Sequence, residues 1–421
     1  DYILGYEEAF LPNKYGQVVA NEIIEVSPNV ILAAGEYACR YLTGRKQILK
    51  QRGSILPLSE IVKQDSGRPN AIKPHIRVIP IIHPRDIAQK ELHNAYSNLD
   101  IQRAIKYRDR TDIHKDNSIL WICWGISAFN NWWSTRGQRA KFLTIDIETY
   151  HGFITCIGFC ADGKEALSVP LLDRRMSMLN RGMCLRLIAR ILRSKVPKVN
   201  QNIMFDDWEL SNWGLQSSNI SGDTMWLAHC LYPELPRDLG FLTSIYTEIA
   251  YYKDEGHDFK PSDGFDTLYL YNAKDALSAW QIYEAQEHDA KESGVWDFYR
   301  NKVWPLFNVY RKQAHRGIRI DPTEQALLLS KYTGMLNDRH HRLEKLVGHD
   351  INYNAPGKVC DLIYNELGYE KQYSINRETG KKGLTSGKET IEELVLNHSQ
   401  GEVSDEILWN IVWCRKLFKL I

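Results

Sequence analysis

Residues 141–152 read KFLTIDIETYHG, a run of strand-forming residues that carries two acids. Side chains alternate between the two faces of a strand, so Asp146 and Glu148 point to the same side. Two like charges together on a buried sheet face are destabilising unless a positive group lies between them. The stretch therefore predicts a strand whose acidic pair binds a divalent metal ion.

The composition is that of an ordinary globular chain. It has 421 residues, which indicates more than one domain, with 43% hydrophobic and 25% charged residues. A net charge of +1 leaves a nucleic-acid partner open. No apolar run is long enough for a membrane span, no signal peptide opens the chain, and the eight cysteines form neither a zinc pattern nor a disulfide framework. We therefore expect a cytoplasmic protein with reduced thiols and no membrane partner.

Both ends of the sequence lack the usual signals. The chain opens at Asp1 without a methionine and closes on KLFKLI inside a helical pattern that has no stop signal. We expect a fragment of a longer protein.

Hydrophobic periodicity divides the chain into four parts. Strands at 28–35 and 77–82 predict an α/β domain over 1–95. A helix and a Trp-rich stretch predict a connector over 96–140. A hairpin of FLTIDIET and FITCIGFC opens an α/β domain over 141–298, and 299–421 is almost wholly helical.

Two further pairs of polar residues are spaced so that both members of each pair would lie on one face of a helix. Asn202 and Asp206 lie four apart at a predicted helix start, and Tyr271 and Asp275 lie four apart on a later helix. Any one of these acids is more simply explained as a helix cap or a solvated carboxylate. Together they would bring four carboxylates and one phenol into a common pocket.

These motifs resemble those of the DEDD exonuclease superfamily in its tyrosine-containing branch. The matching residues are Asp146 and Glu148, Asn202-x-x-Phe205-Asp206, and Tyr271-x-x-x-Asp275. The stretch GDTMWLAHCLYPE at 222–234 resembles the helix between the second and third motifs. The implied fold is ribonuclease H-like, a mixed sheet flanked by helices.

The resemblance also implies roles. Asp146, Glu148 and Asp275 would hold a first metal ion, Asp146 would bridge to a second, and Asp206 would act through water. Tyr271 would orient or deprotonate the attacking water. The substrate would contact three residues, which are Thr149, Gln201 and Asn202. We expect Phe205 to belong to the core.

The chemistry of phosphodiester hydrolysis agrees with this residue set. Two divalent ions about 4 Å apart neutralise the phosphate, activate water and stabilise the leaving 3′-oxygen. Hard oxygen ligands without His or Cys select Mg²⁺ or Mn²⁺. The expected cofactors are therefore two Mg²⁺ or Mn²⁺ ions, and the expected partner is DNA with a single-stranded 3′ end.

Two families use the tyrosine variant, RNase D-type RNA trimmers and the proofreading domains of family A DNA polymerases. The region 299–421 resembles the start of the polymerase thumb, with Gly-Ile-Arg-Ile-Asp at 317–321 and the helix ILWNIVWCRKLFKLI at 407–421. That implies an all-α thumb segment in contact with primer-template duplex, through basic residues at 339–342 and the Lys381-Lys382 pair. The palm and fingers motifs are absent.

Residues 28–86 resemble the second half of a uracil-DNA glycosylase, with His83 matching the histidine such enzymes use near the target base. The water-activating motif of that family has no match in residues 1–27. We interpret this part as a degenerate domain with a structural or DNA-handling role; an active glycosylase is the alternative.

The leading hypothesis is thus the N-terminal portion of a replicative, phage-like family A DNA polymerase with an active proofreading exonuclease, and other replisome proteins as possible partners. If the source is a phage, the chain acts in the host cytoplasm. An RNase D-like exoribonuclease and a non-catalytic DNA-binding module remain as alternatives.

Overall fold

The computed structural model describes residues 12–88, 90–112, 117–257, 259, 260, 262, 264–375 and 382–421. The chain divides into two compact units, residues 1–316 and residues 317–421. Lys381 and the first eleven residues lie outside the described part.

The first unit contains two sheets and most of the helices. Its strands are β1 (Val30–Ala34), β2 (Leu56–Pro57), β3 (Arg77–Ile81), β4 (Ile119–Ile122), β5 (Leu143–Tyr150), β6 (Phe153–Cys160), β7 (Glu165–Pro170), β8 (Lys198–Asn200) and β9 (Ile220–Asp223). Its helices are α1 (Pro12–Val26), α2 (Glu36–Thr43), α3 (Ile48–Gln51), α4 (Glu60–Asp65), α5 (Pro84–Ile87), α6 (Glu91–Tyr107), α7 (Ile126–Thr135), α8 (Met178–Leu192), α9 (Ile203–Asn212), α10 (Thr224–Leu231), α11 (Leu239–Tyr246), α12 (Asp254–His257), α13 (Asp266–Glu292), α14 (Trp296–Phe298) and α15 (Trp304–Arg316).

The larger sheet has six strands in the order β4-β7-β6-β5-β8-β9. The hairpin β5–β6 and the pair β6–β7 are antiparallel, whereas β5–β8, β8–β9 and β4–β7 are parallel. This is the mixed sheet that the sequence predicts, and helices cover both of its faces. The strand β4 and helix α7 come from the predicted connector, so the sheet begins before residue 141.

The strand β5 divides its side chains between two hydrophobic layers. Leu143, Ile145 and Ile147 are buried in a core that also contains residues of α7 and α8. Asp146 and Glu148 point to the other side, where they meet Asp275 of α13 and where the Asn272 side chain contacts Asp146. The alternation that predicts the acidic face thus also explains why that face is separated from the main core.

The smaller sheet has three strands in the order β1-β3-β2. β1 and β3 are parallel, and β2 is antiparallel to β3. Gly35 follows β1 with φ +88°, and a Cβ there would lie 3.1 Å from the Cβ of His83, so the close approach of these strand ends requires glycine. The predicted N-terminal α/β fold is confirmed.

The second unit is helical with one short β-ribbon. Its elements are α16 (Pro322–Val347), α17 (Pro356–Asp361), β10 (Tyr373–Ile375), β11 (Lys382–Leu384), α18 (Lys388–Asn397) and α19 (Glu402–Phe418). Its own core includes Leu343, Val359, Ile391, Leu408 and Ile411. The predicted fold class, an α/β region followed by a helical segment, is confirmed.

Neither unit has a helix, within the described residues, that combines the length and apolar character needed to cross a membrane.

Gly158 provides a test of how closely α13 packs on the larger sheet. It pairs with Asp146 in the β5–β6 register, and a Cβ at this position would lie 2.8 Å from both the carbonyl oxygen and Oδ1 of Asn272. We expect Gly158→Ala to lower the free energy of unfolding by about 1–3 kcal/mol, measured by urea denaturation. The control is Gly182→Ala in α8, where no atom lies within 4 Å of the added Cβ, and where the change should stabilise slightly. Equal effects of the two substitutions would contradict this packing.

Candidate metal centre

Three carboxylates from two distant parts of the sequence meet beside β5. The ligand oxygens of Asp146, Glu148 and Asp275 all lie within 4.8 Å of one another. Asp146 and Glu148 come from β5, and Asp275 is the tenth residue of α13. The structure therefore brings together three of the four acids that the sequence predicts to bind metal.

The fourth predicted acid, Asp206, lies next to this group on α9. Its side chain is 4% exposed. Its Oδ1 accepts a hydrogen bond from the backbone N–H of Ile147 at 3.1 Å, and its Oδ2 accepts one from Asn200 Nδ2 at 3.2 Å. The negative charge of Asp206 also raises the pKa of Glu148. Asp206 thus adjoins the cluster without being one of its three close members.

Two asparagines that sequence reasoning missed hold Asp146 in place. Asn272 Nδ2 donates to the Asp146 carbonyl at 3.0 Å and to its Oδ2 at 2.9 Å, and Asn272 Oδ1 accepts from Ser168 Oγ at 2.7 Å. Asn200 Nδ2 lies 3.4 Å from Asp146 Oδ1 and also donates to Asp206. In the sequence, Asn272 follows Tyr271 directly, and Asn200 lies two residues before Asn202. This proximity to the motifs is the sequence feature that could have identified both asparagines.

The third acid, Asp275, is held by residues of a segment that sequence reasoning also missed. The Tyr252 hydroxyl donates to Asp275 Oδ1 at 2.6 Å, and Lys253 Nζ donates to Oδ2 at 2.7 Å. The same ammonium group lies 4.4 Å from the ring centroid of Tyr271. A positive charge therefore does lie among the acids, as the repulsion between them requires.

Burial and mutual repulsion perturb the acids. The pKa of Asp146 is raised to about 7, first by burial and then by the charge of Asp275, while Lys253 and the two asparagines oppose the shift. Burial also raises the pKa of Glu148 well above its ordinary value, with contributions from Asp146 and Asp275. The pKa of Asp206 is raised by burial and by Asp146. Such shifts indicate a site where a divalent cation would be strongly stabilising.

The phenol of Tyr271 adjoins the same cluster. Its side chain is 8% exposed, and burial followed by the charge of Asp275 raises its pKa above the ordinary value. The hydroxyl is therefore protonated at neutral pH and can orient a water molecule by hydrogen bonding. Of the two roles predicted for Tyr271, this electrostatic setting favours orientation over deprotonation.

The three predicted substrate residues have different surroundings. Thr149 follows a register shift in the β5–β6 pairing. Both ends of the Gln201 amide are engaged, since Nε2 donates to the Arg237 carbonyl at 2.6 Å and Oε1 accepts from Thr224 Oγ1. Asn202 is exposed and precedes α9 in a left-handed conformation with φ 53°, so it does not share a helical face with Asp206 as predicted.

The prediction that Phe205 belongs to the core is wrong, because its side chain is 46% exposed. The buried residues of α9 are Ile203, Asp206, Asp207 and Leu210. That spacing defines one helical face, and Phe205 falls outside it. Because Asp206 occupies the inward position, the neighbouring Phe205 lies at the surface of α9.

His83 belongs to the smaller sheet. It caps α5, with its Nδ1 accepting a hydrogen bond from the backbone N–H of Arg85 at 3.1 Å. A capping role accounts for the His-Pro pair in structural terms. Whether this histidine has any part in base recognition stays a prediction.

The basic residues predicted to contact duplex DNA in the second unit are largely engaged within it. Arg342 forms an ion pair with Glu406, and Arg339 Nη1 donates to Asn410 Oδ1 at 3.2 Å. His340 Nε2 lies 3.5 Å from Asp350 Oδ1. Lys382 is exposed, with its ammonium group 4.8 Å from the Tyr373 ring centroid. Contact with a duplex at these residues stays a prediction.

The donor set of the acidic cluster fits a hard divalent cation. All of its ligand atoms are carboxylate oxygens, which Mg²⁺ and Mn²⁺ prefer. Two other groups in the described part of the chain have comparable spacing, His288 with Asp289 and Glu292, and His340 with Glu344 and Asp350. Both include a histidine and at least one exposed member, and neither includes a residue predicted to bind metal. The cluster at β5 could therefore bind a metal ion of the predicted kind.

Comparison with known proteins adds little to this description. No protein-family model matches the chain. A solved structure of the POL domain of Pol1 from M. smegmatis, in complex with a DNA primer-template and dNTP, is similar at 13% sequence identity with a TM-score of 0.43. The match covers 71% of this chain and 48% of that structure, so the chain spans about half of its length.

The raised pKa values predict how stability depends on pH in the absence of metal. A carboxyl group whose folded-state pKa exceeds its unfolded value stabilises the fold below the unfolded pKa and loses that contribution as pH rises through the folded pKa. For Asp146 this window runs from 3.8 to about 7. In EDTA we expect the free energy of unfolding to fall across that window, and to fall less steeply for Asp146→Asn. Identical pH dependences for the two proteins, measured by urea denaturation, would contradict the assignment.

Proposed function

We propose that the first unit is a metal-dependent 3′–5′ exonuclease that hydrolyses phosphodiester bonds at the 3′ ends of DNA. The observation that carries the proposal is the meeting of the first and third sequence motifs, 129 residues apart at their ends, in one partly buried acidic cluster, with Asp206 of the second motif beside it. Asp146 and Asp275 mark those ends, and their ligand oxygens lie within 4.8 Å. Acids with a purely structural role would not be expected to lie this close together, because their mutual repulsion destabilises the fold.

In this proposal, Asp146, Glu148 and Asp275 hold divalent cations, and Asp206 supports them from α9. The ions would supply charge neutralisation at the phosphate, a more acidic water and stabilisation of the leaving oxygen. Asn272 and Asn200 keep the Asp146 carboxylate in a fixed orientation, which the chemistry requires because small displacements of a ligand are costly.

Tyr271 would orient the attacking water. Its hydroxyl stays protonated because burial and the charge of Asp275 raise its pKa. A protonated phenol can donate to a carboxylate while it accepts from water, so it can fix the position of that water without removing a proton. Proton removal would then fall to another base or to bulk solvent.

The exposed side of the site has features that would suit a single-stranded 3′ end. Asn202 and Phe205 are exposed at the start of α9, close in sequence to the buried Asp206. An aromatic ring at such a position can stack on a base without sequence preference, and an amide can hydrogen-bond a sugar or base. We propose these two residues, with Thr149, as substrate contacts.

We further propose that the chain is the N-terminal portion of a family A DNA polymerase, of phage type, on the basis of the motif resemblance at 299–421. The domain limits 1–95, 96–140, 141–298 and 299–421 belong to this proposal, with His83 as a remnant of a glycosylase-like site. Nucleotide addition would reside in palm and fingers regions that have no counterpart among these residues. The chain alone should therefore degrade DNA and should not extend a primer.

Hydrolysis assays test the proposal directly. We expect release of mononucleotides from single-stranded DNA with Mg²⁺ or Mn²⁺, and a loss of at least about 100-fold in kcat/KM for Asp146→Asn and for Asp275→Asn, since each ligand supports several kcal/mol of transition-state stabilisation. The matched control is Glu209→Gln on α9, which should retain wild-type activity.

Two results would redirect the assignment. Faster hydrolysis of RNA than of DNA would favour the RNase D-like alternative. DNA binding without any metal-dependent hydrolysis by the wild-type chain would favour a non-catalytic binding module.

A further inference from the structure

The segment 251–256 contacts the candidate metal centre on one side and the N-terminal α/β part on the other. We propose that the glycosylase-like N-terminal part serves as a scaffold that positions this segment, and through it the Asp275 and Tyr271 side chains. The inference rests on the proposed function and assigns to the N-terminal part a positioning role in the exonuclease site.

The contacts on the side of the site come from three residues of the segment. Tyr252 and Lys253 each donate a hydrogen bond to one oxygen of Asp275, at 2.6 and 2.7 Å. Gly256 packs so closely on the Tyr271 ring that a Cβ at 256 would lie 2.6 Å from Tyr271 Cζ. The segment therefore contacts both the acid and the phenol of the third motif.

The contacts on the N-terminal side are made by residues 50 and 54. Lys50 Nζ lies 2.8 Å from Asp254 Oδ1. The backbone N–H of Tyr251 donates to Ser54 Oγ at 3.2 Å. Ser54 is 1% exposed, so loss of this part-buried hydrogen bond would leave its buried hydroxyl without that donor, at a cost in free energy.

The preceding stretch of chain is anchored to the same part of the molecule. Arg52 forms a buried ion pair with Asp100 of α6 and also donates to Ser244 Oγ at 3.3 Å. Gly53, with φ +72°, lets the turn approach the Ser244 carbonyl, which would lie 3.0 Å from an added Cβ. Arg103 of α6 donates to the Thr247 carbonyl. These contacts fix the course of the chain immediately before residue 251.

The arrangement forms a continuous physical path. The N-terminal turn at residues 50–54 holds segment 251–256, and that segment holds Asp275 and Tyr271. Residues of the N-terminal part need not touch the substrate or a metal ion to influence the site; loosening their contacts would leave Asp275 with fewer fixed hydrogen bonds. Loss of hydrogen bonds to a metal-binding carboxylate typically weakens metal binding 10–100-fold.

The experiment measures Mn²⁺ affinity of the full chain by isothermal titration without DNA. We expect Tyr252→Phe to weaken Mn²⁺ binding about 10-fold. Lys50→Gln should weaken it on the order of 3-fold, because its ion pair is exposed, and Lys50→Arg should restore it. The double variant that combines Lys50→Gln with Tyr252→Phe should bind Mn²⁺ no more weakly than Tyr252→Phe alone, since both changes act through the same contacts.

The matched control is Lys63→Gln, which breaks an ion pair of 2.6 Å with Glu60 inside the N-terminal part. It should leave the Mn²⁺ affinity unchanged. Unchanged affinity in Lys50→Gln, additive effects in the double variant, or an equal loss in Lys63→Gln would each overturn the scaffold proposal. Because the titration contains no DNA, a wild-type chain that binds Mn²⁺ as expected but fails to hydrolyse DNA would contradict the proposed function alone.

Discussion

Repulsion among partly buried carboxylates is the constraint on which the first unit depends. Ligand oxygens of Asp146, Glu148 and Asp275 lie within 4.8 Å of one another, between strand β5 and helix α13. Such a group is costly in free energy unless protons, hydrogen-bond donors or cations compensate it. The surrounding residues supply the donors and one cation, through Asn200, Asn272 and Lys253. The remaining charge is what makes the site suited to divalent metal ions.

Three other features of the first unit bring these side chains together. The hairpin β5–β6 supplies two acids on one face, and Gly158 on its second strand lets α13 approach closely enough for Asn272 to contact Asp146. The side chain of Asp223 accepts hydrogen bonds from the N–H groups of Ile203 and Met225, both at 2.8 Å, so the starts of α9 and α10 are tied together. That contact fixes the helix from which Asp206 reaches β5.

Much of this arrangement could be predicted from the sequence, because strand alternation and four-residue helical spacing are local rules. Both rules correctly indicated the paired acids of β5 and the shared side of Tyr271 and Asp275. Asn202 was misplaced because α9 begins only at Ile203, and Phe205 was misplaced because it lies outside the inward face of that helix. The partners Tyr252 and Lys253 carry no motif, and only the folded chain brings them to Asp275.

Anomalous diffraction from crystals grown with MnCl₂ tests the central claim most directly. The account predicts a strong manganese peak coordinated by carboxylate oxygens of Asp146, Glu148 and Asp275, and its loss in crystals of Asp146→Asn. Well-ordered side chains at these three positions with no manganese between them, at millimolar metal concentration and neutral pH, would contradict it.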